Sequence, residues 1–238
     1  AKNDLTLSEM RGLAYDDPKW EQLLDQIDWD ADKNGILQNF AGDAYLTAAI
    51  PSIGMPATVA EDGANGLKVN GMTSDGSGYD MTASSSFGFA PLMAATWNPE
   101  LLYEVGAAFG QESLANGING WYCPAINLHR SFFSGRVFEY YSEDPILSGV
   151  LASNVISGAG DQGMFCYIKH FALNETETGR AELISTWADE QTMRELYLKP
   201  FEIAIENARM TLNYYDENGN MTSEVRRAAT AAMASQTG

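Results

Sequence analysis

The sequence is poor in basic residues, and it has no long apolar run. Its 238 residues include 14 lysines and arginines against 32 aspartates and glutamates, which gives a net charge of −18. There is no basic stripe to neutralise phosphates, so a nucleic-acid partner is not expected, and docking on anionic lipid is disfavoured for the same reason. No apolar stretch approaches the length of a membrane span. A neutral small molecule fits this charge balance best.

Cysteine and histidine are also scarce, with two of each. Cys123 and Cys166 lie in apolar, strand-like runs, which favours buried free thiols over a disulfide. His129 and His170 do not form a His-x-x-x-His motif and no Cys-x-x-Cys occurs, so a zinc site is not expected. Gly-x-Ser-x-Gly and Walker-type loops are absent too. We therefore expect neither a metal nor an organic cofactor.

Strands alternate with amphipathic helices along most of the chain. Asn98-Pro99 and Asp144-Pro145 each place a capping side chain before a proline at the first helical position. The residues after 63 are rich in Gly, Ser, Thr and Asp and predict a long loop up to residue 88. The other predicted elements are strands at residues 57–60, 91–96, 120–128, 163–168 and 210–215, helices at 188–208 and 223–233, and short helices within 1–50. This alternation indicates parallel βα units and an α/β fold.

In each predicted unit, the polar residues follow the end of the strand. They are Asp62, Asn127 to Arg130, Lys169 with His170, and Tyr214 with Tyr215. This polarity is typical of a (β/α) TIM-type barrel, and an open doubly wound sheet is the alternative. We count about six βα units where a closed barrel needs about eight, so the barrel is predicted to be incomplete. The domain prediction is a helical lead-in over residues 1–50 and a partial barrel over 51–238.

The segment from residue 168 to residue 180 is the first candidate site. Its apolar strand ends in Lys169 and His170, and a polar loop follows with Glu175, Glu177 and Arg180. Unpaired charge near a core is costly, so this density of charge predicts a place where a polar ligand meets the protein. The alternative for a lone histidine is a structural role.

A second candidate site runs from Asn127 to Pro145. Arginine offers a fixed array of donors to sugar hydroxyls, and aromatic rings offer flat apolar faces. Glu139 is predicted to pair with Arg130 or Arg136, and for Arg136 a purely structural ion pair remains the alternative. Asp62 lies at a strand end within Glu-Asp-Gly-Ala-Asn-Gly, where glycine lets a ligand approach closely. An Asx-type turn is its alternative.

Together these segments resemble the family 3 glycoside hydrolases, the β-glucosidase group. The segments keep the family's order between about residues 50 and 207. They are Glu61–Gly66, Ala94–Asn98, Gly135–Pro145, Lys169-His170-Phe171 with Asn174 and Arg180, and Met193–Glu202. The loop after Phe171 resembles that of the glucosidase branch rather than the glucosaminidase branch.

The resemblance implies hydrolysis of terminal non-reducing β-D-glucosyl residues by a retaining mechanism. Asp62, Arg136, Lys169 and His170 would bind the hydroxyls of the terminal sugar, and Arg180 would close the same pocket. Tyr214, or its neighbour Tyr215, resembles the tyrosine of the family's Met-Ser-x-Tyr-Asn stretch. The implied partner is a small β-glucoside or an oligosaccharide.

The family's two catalytic carboxylates are not expected in this sequence. The family's nucleophile is an Asp in a Ser/Thr-Asp-aromatic motif, and no such motif occurs in residues 211–238. Its acid/base is a Glu from a separate domain. Asp216 is a candidate nucleophile only if the tail was joined across a deletion, while Glu175 and Glu177 are predicted to be ion partners of Lys169 and Arg180.

Two hypotheses follow from this pattern. In one, the chain supplies the sugar-binding part of a β-glucosidase. In the other, it is a non-catalytic or truncated sugar-binding module. An unfinished barrel also leaves strand edges exposed, so we expect self-association through those edges.

Overall fold

The computed structural model describes residues 3–40, 45–67, 84–182, 184–216, 218–228 and 230–234. Most of the predicted 63–88 loop lies outside these ranges. The chain divides into two compact units, Ala1–Ala60 and Glu61–Gly238. The assignment of residues 1–50 and 51–238 to separate domains stays a prediction.

The first unit contains the short helices that the sequence predicts. Its core is formed by Met10, Leu23 and Ile53. Strands β1 and β2 pair antiparallel, with Leu46 opposite Val59. The elements are a 3-10 turn at Leu7–Met10, α1 (Lys19–Leu24), α2 (Trp29–Phe40), β1 (Leu46–Thr47), a 3-10 turn at Pro51–Ile53 and β2 (Thr58–Asp62). The last two residues of β2, Glu61 and Asp62, belong to the second unit.

The second unit is built on parallel strands with helices between them. Strand β3 pairs with β4, and β4 pairs with β7, both in parallel. The helices are α3 (Ala90–Ala94), α4 (Pro99–Ala115), α5 (Pro145–Asp161), α6 (Glu190–Thr192) and α7 (Lys199–Asn207), and the strands are β3 (Gly120–Tyr122), β4 (Phe165–Phe171), β5 (Arg209–Tyr215), β6 (Met221–Arg227) and β7 (Thr230–Ala234). Single 3-10 turns lie at Val137–Glu139 and Arg180–Glu182.

The two predicted cap-and-proline starts are confirmed. The Asn98 side chain accepts a hydrogen bond from the Leu101 N–H at 3.0 Å and begins α4. The Asp144 carboxylate accepts from Ile146 N–H at 2.7 Å and from Leu147 N–H at 3.2 Å, and it begins α5. In both helices a side-chain oxygen satisfies first-turn donors that have no partner within the helix.

Helices α4 and α5 pack with their backbones in close contact. A Cβ atom built on Gly106 would lie 2.0 Å from Val155 O, and one built on Gly158 would lie 2.0 Å from Tyr103 O. Glycine is required at both positions because any side chain would overlap the main chain of the other helix.

Two predicted elements are wrong. Residues 91–96 were expected as a strand, but the structure has α3, with Pro91 in its first turn. A short apolar run does not distinguish helix from strand, and proline in the first turn favours the helix. Residues 223–233 were expected as a helix, but the structure has strands β6 and β7 there.

The helix prediction at residues 223–233 failed because the hairpin turn before β6 was not recognised. Strands β5 and β6 pair antiparallel from Arg209 opposite Arg227 to Tyr215 opposite Met221. The turn contains Asn218 and Gly219, and Gly219 has a φ of 78°. An Asn-Gly pair between strand-like runs is a strong hairpin signal. The helix predicted at 188–208 is present but interrupted by a π-helical turn at Met193–Tyr197.

Other sequence predictions concern the cysteines and the membrane. Cys123 and Cys166 are buried free thiols, as predicted, and burial raises the pKa of Cys123 to about 12. Within the described ranges, we find no helix with the length and apolar character needed to cross a bilayer.

Candidate active-site region

A buried lysine lies at the centre of the candidate site. Lys169 is near the end of β4 and is 3 % exposed. Its Nζ donates to Asp62 Oδ1 at 2.5 Å, and Glu139 Oε2 lies 4.0 Å away. Asp62 is held at the end of β2 by the turn that follows, where Trp121 Nε1 donates to Gly63 O at 2.8 Å. Two strand ends therefore bring opposite charges together.

Arg136 is held on three sides. Its Nε donates to Glu139 Oε1 at 2.5 Å and its Nη1 to Glu177 Oε2 at 3.3 Å. Its Nη2 lies 2.8 Å from His170 Nε2. Glu139 is thus the partner of Arg136, which decides between the two arginines that the sequence allowed.

Arg180 joins this set through Glu177. The Arg180 Nε donates to Glu177 Oε2 at 2.8 Å. That hydrogen bond, together with the charges of Arg180 and Arg136, lowers the pKa of Glu177. The predicted pair of Glu177 with Arg180 is therefore present.

These contacts form one continuous network, which we call the clamp. It runs from Asp62 through Lys169, Glu139, Arg136 and Glu177 to Arg180, with His170 on Arg136. Three cations face three carboxylates, so their burial is compensated by pairing. The structure thus brings together five of the residues that the sequence singled out: Asp62, Arg136, Lys169, His170 and Arg180.

Asn127 fixes the backbone of His170, and the sequence reasoning gave this residue no role. Its Oδ1 accepts from His170 N–H at 2.6 Å, and its Nδ2 donates to His170 O at 2.9 Å. The same Nδ2 also donates to Glu175 Oε1 at 3.4 Å. The preceding residue of β4 is held similarly by backbone groups, Pro124 O and Ile126 N–H. The available signal was its place among the polar residues at the predicted strand ends.

The prediction that Glu175 pairs with Lys169 is wrong. Its contact is with Asn127, and burial raises the pKa of Glu175 although that hydrogen bond opposes the shift. The ammonium of Lys169 is instead neutralised by Asp62, which reaches it from another strand.

Tyr214 and Asp216 lie on the β5–β6 hairpin, and the structure does not include them in the clamp. The Tyr214 hydroxyl donates to Glu224 Oε2 at 3.5 Å. Asp216 Oδ1 accepts from Asn220 N–H at 2.8 Å and from Asn218 N–H at 2.9 Å. These backbone hydrogen bonds lower the pKa of Asp216, with that from Asn220 the largest cause. Asp216 thus closes the hairpin turn.

Two cavities are lined by residues that are near the clamp in sequence, but neither is lined by a residue of the clamp itself. One, of about 610 Å³, is lined largely by apolar groups that include Trp97, Phe138 and Leu147. The other, of about 330 Å³, is lined by Glu175, Trp187 and Tyr197, among others. Arg130 contributes to both, with its guanidinium 5.3 Å from the centre of the Tyr197 ring. In the part of the chain that the structure describes, no cluster of three or more His, Cys, Asp or Glu is placed to hold a metal.

Comparison with known proteins identifies relatives over most of the chain. Residues 45–213 match the glycosyl hydrolase family 3 N terminal domain. A beta-glucosidase of Rhizobium radiobacter is 39% identical over 185 residues, which is 76% of this chain and 22% of that protein. The chain thus spans about a fifth of the length of this relative.

Solved structures agree with this assignment. Beta-glucosidase 3B from Thermotoga neapolitana, in complex with alpha-D-glucose, gives a TM-score of 0.67 at 36% identity, covering 80% of this chain and 28% of that one. Beta-glucosidase from Kluyveromyces marxianus, in complex with glucose, gives 0.68 at 32% identity, covering 79% and 22%. The predicted α/β fold of the barrel type is confirmed. The described strands fall into a five-stranded sheet and a separate two-stranded sheet.

Proposed function

The chain belongs to glycosyl hydrolase family 3 through its N-terminal domain, and on that premise we propose that it supplies the sugar-binding subsite of a β-glucosidase with a retaining mechanism. The observation that carries this proposal is the clamp, a continuous set of paired cations and carboxylates. Its residues come from the ends of β2 and β4, from the turn before α5 and from the segment that follows β4. The implied ligand is the terminal glucosyl unit of a β-glucoside or an oligosaccharide.

Sugar hydroxyls both donate and accept hydrogen bonds, so a glucosyl subsite needs both kinds of partner. The hydrogen bonds that described residues make to the Asp62 carboxylate both end on Oδ1, which leaves Oδ2 to accept from a hydroxyl. Lys169, Arg136 and Arg180 are the donors. Their own carboxylate partners hold them in place before a ligand arrives, which reduces the entropy cost of binding.

The exposures of these side chains suggest which of them meet the sugar first. The Lys169 side chain is 4% exposed, while those of Asp62 and Arg180 are 32% and 24% exposed. We therefore assign the outer contacts to Asp62 and Arg180 and the inner ones to Lys169 and Arg136, with His170 beside Arg136. Tyr214 enters the proposal on the resemblance of its segment.

We do not assign catalysis to the carboxylates of the clamp. A retaining mechanism needs a nucleophile and an acid/base about 5–5.5 Å apart. Asp62, Glu139 and Glu177 each accept from a cationic donor, which suits holding hydroxyl groups and weakens a carboxylate as a nucleophile. Asp216 is occupied by its turn.

Because the Asp216 carboxylate already accepts two hydrogen bonds within its turn, the second candidate function is favoured, a non-catalytic sugar-binding module. Whether the chain is catalytic by itself is tested by incubating it with an aryl β-glucoside. The module predicts no release of the aryl alcohol. Release that disappears in Asp216→Asn would instead assign the nucleophile to the hairpin turn.

Sugar binding itself is tested by titrating the chain with glucose and following its amide NMR spectrum. We expect the largest shifts at Asp62 and Arg180, and weaker binding in Asp62→Asn. Arg194→Gln is the matched control, because it removes an ion pair with Glu190 in which both side chains are largely exposed. Equal affinity in both variants and the unmodified chain would contradict the proposal.

The predicted self-association remains part of the proposal. Among the described residues, β7 pairs only with β4. The other edge of β7 therefore presents backbone N–H and C=O groups that can pair with another strand. Light scattering should give a mass above that of one chain, and a monodisperse monomer would contradict this.

A further inference from the structure

The larger of the two cavities is lined by exposed aromatic rings. Its volume is about 610 Å³, which is within the range of cavities that hold small ligands. Trp97 and Phe138 line it and are 69% and 49% exposed, while Ala94 and Tyr141 contribute buried groups. Large aromatic side chains that are exposed together mark a surface that binds something.

Trp97 also has an unusual backbone conformation. Its φ is 50°, in the left-handed region that bulky residues rarely adopt. Trp97 lies at the joint between α3, which ends at Ala94, and Asn98, which begins α4. Glycine or asparagine adopts this conformation at a lower cost. The presence of tryptophan is therefore explained by its side chain rather than by the joint.

Two exposed charged groups that line the cavity have no ionic or hydrogen-bonded partner among the described residues. They are the Arg130 guanidinium and the Glu143 carboxylate. Arg130 is held instead by the ring of Tyr197, 5.3 Å away, through a cation–π contact. The cavity thus offers several N–H donors and a carboxylate acceptor to a ligand.

These features together fit a neutral sugar. A donor and an acceptor of opposite charge suit a neutral ligand whose groups both donate and accept, as hydroxyls do. The aromatic rings suit a flat apolar face. A pyranose ring has both properties, because its C–H bonds cover its faces and its hydroxyls surround its edge. The net charge of −18 disfavours an anionic ligand.

We propose that this cavity is a second carbohydrate site, in which one unit of a β-linked glucose oligosaccharide stacks on the Trp97 indole and bonds to Arg130 and Glu143. The site goes beyond the clamp and does not require the clamp to bind sugar. Only the identity of the sugar as β-linked glucose rests on the proposed function.

The cavity and the clamp share one turn of the chain. Val137 and Phe138 line the cavity, and Glu139 of the same 3-10 turn belongs to the clamp. His129 Nε2 lies 2.7 Å from Tyr140 O and 3.1 Å from Val137 O, and so holds both ends of this turn. An oligosaccharide in the cavity is therefore kept close to the clamp, which raises its effective concentration there.

The first test is a titration of the nitrogen-15-labelled chain with cellotetraose, followed through the tryptophan indole N–H signals. We expect the Trp97 signal to move. Trp29 is the internal control, because it is similarly exposed, at 66%, and does not line the cavity. An unmoved Trp97 signal, or an equal movement of Trp29, would overturn the proposal.

The second test removes the aromatic ring. Trp97→Asn keeps a residue that tolerates the left-handed conformation, and it should weaken cellotetraose binding at the cavity about tenfold, measured from the amide shifts of Arg130 and Phe138. Trp29→Asn is the matched control and should leave the affinity unchanged. Glu143→Gln should weaken binding about threefold. Unchanged affinity in Trp97→Asn would overturn the stacking role.

Two further measurements separate other occupants from a sugar. Hydroquinone has a flat face and two hydroxyls without a pyranose ring. If it moves the Trp97 signal and cellotetraose does not, the cavity binds phenols and the proposal is wrong. A Trp97 signal that moves with protein concentration alone would show that a second copy covers the cavity, which would also overturn it.

The two sites can fail independently. If cellotetraose moves the Trp97 signal while glucose leaves the amides of Asp62 and Arg180 unmoved, the cavity site is supported and the proposed function of the clamp fails. The reverse result overturns the cavity site and supports the clamp.

Discussion

Asp62 and Glu139 both lie beside the Lys169 ammonium, and we predict that removing their charges will have different consequences. Glu139 is 5% exposed and contacts both Arg136 and Lys169, so it neutralises buried charge. The Asp62 side chain is 32% exposed and contacts only Lys169 among the cations described. Glu139→Gln should therefore mainly cost stability, and Asp62→Asn should mainly cost sugar affinity.

The magnitudes follow from burial. Removing one partner of a buried ion pair costs about 3–5 kcal/mol. Because Arg136 keeps Glu177 and His170, we expect the lower end, about 3 kcal/mol, for Glu139→Gln. That corresponds to a melting temperature lower by about 6–12 °C. The pair with the partly exposed Asp62 is screened by water, so Asp62→Asn should cost about 1 kcal/mol or less.

The order reverses for binding. A hydrogen bond to a charged group contributes about 1.5–3 kcal/mol, so Asp62→Asn should weaken glucose binding at least about tenfold. Gln at position 139 can still accept from Arg136 Nε, so Glu139→Gln should change the affinity less. Thermal unfolding and glucose titration of both variants measure the two effects. A larger loss of melting temperature in Asp62→Asn, or a larger loss of affinity in Glu139→Gln, would refute the reasoning.

Further predictions concern helix packing, the hairpin and pH. Gly158→Ala should lower the free energy of unfolding, measured in urea, by about 1–3 kcal/mol, because the new Cβ would overlap Tyr103 O. An unchanged free energy of unfolding would contradict the close contact. Asp161 accepts hydrogen bonds from both Thr211 N–H and the Tyr103 hydroxyl and so holds the start of β5. Asp161→Asn should therefore speed hydrogen exchange of the Thr211 amide, and an unchanged exchange rate would contradict this role. In the folded chain the pKa of His170 is lowered to about 2, whereas in the unfolded chain the ring takes up a proton below about pH 6.5. The full stability is therefore present above about pH 6.5, and it is lost as the pH falls, by up to about 1.4 kcal/mol per pH unit. His170→Gln should flatten that part of the stability curve, and an identical slope would contradict the depressed pKa of His170.

Local signals in the sequence predicted the long helices well. The Asn98-Pro99 and Asp144-Pro145 starts depend on side chains that cap their own helix within three residues, so their signal is contained in the local sequence. The apolar run at 91–96 lacked such a signal except for Pro91, and the tail after residue 221 was decided by the turn at Asn218-Gly219. The first failure came from the ambiguity of a short apolar run, and the second came from a turn that was not recognised.

The clamp was predictable to the extent that parallel strands end on the same edge of a sheet. This rule placed Asp62 and Lys169 on the same face although 107 positions separate them. It did not predict their ion pair, since Glu175 was the expected partner of Lys169. The choice of partners was not predictable, because Glu139, Glu175 and Glu177 have the same chemistry and differ only in their positions in space. Asn127 was given no role because its two shortest hydrogen bonds are to backbone atoms of His170, which carry no residue-specific signal.

The close approach of α4 and α5 restricts how this sequence can change over time. At Gly106 and Gly158 the nearest neighbours are main-chain atoms of the opposite helix, which every amino acid possesses. A substitution at either position therefore has no rescuing partner, because no second mutation can make a carbonyl oxygen smaller. Exposed residues of both helices can be substituted freely. Gly106 and Gly158 can be substituted only if the two helices move apart.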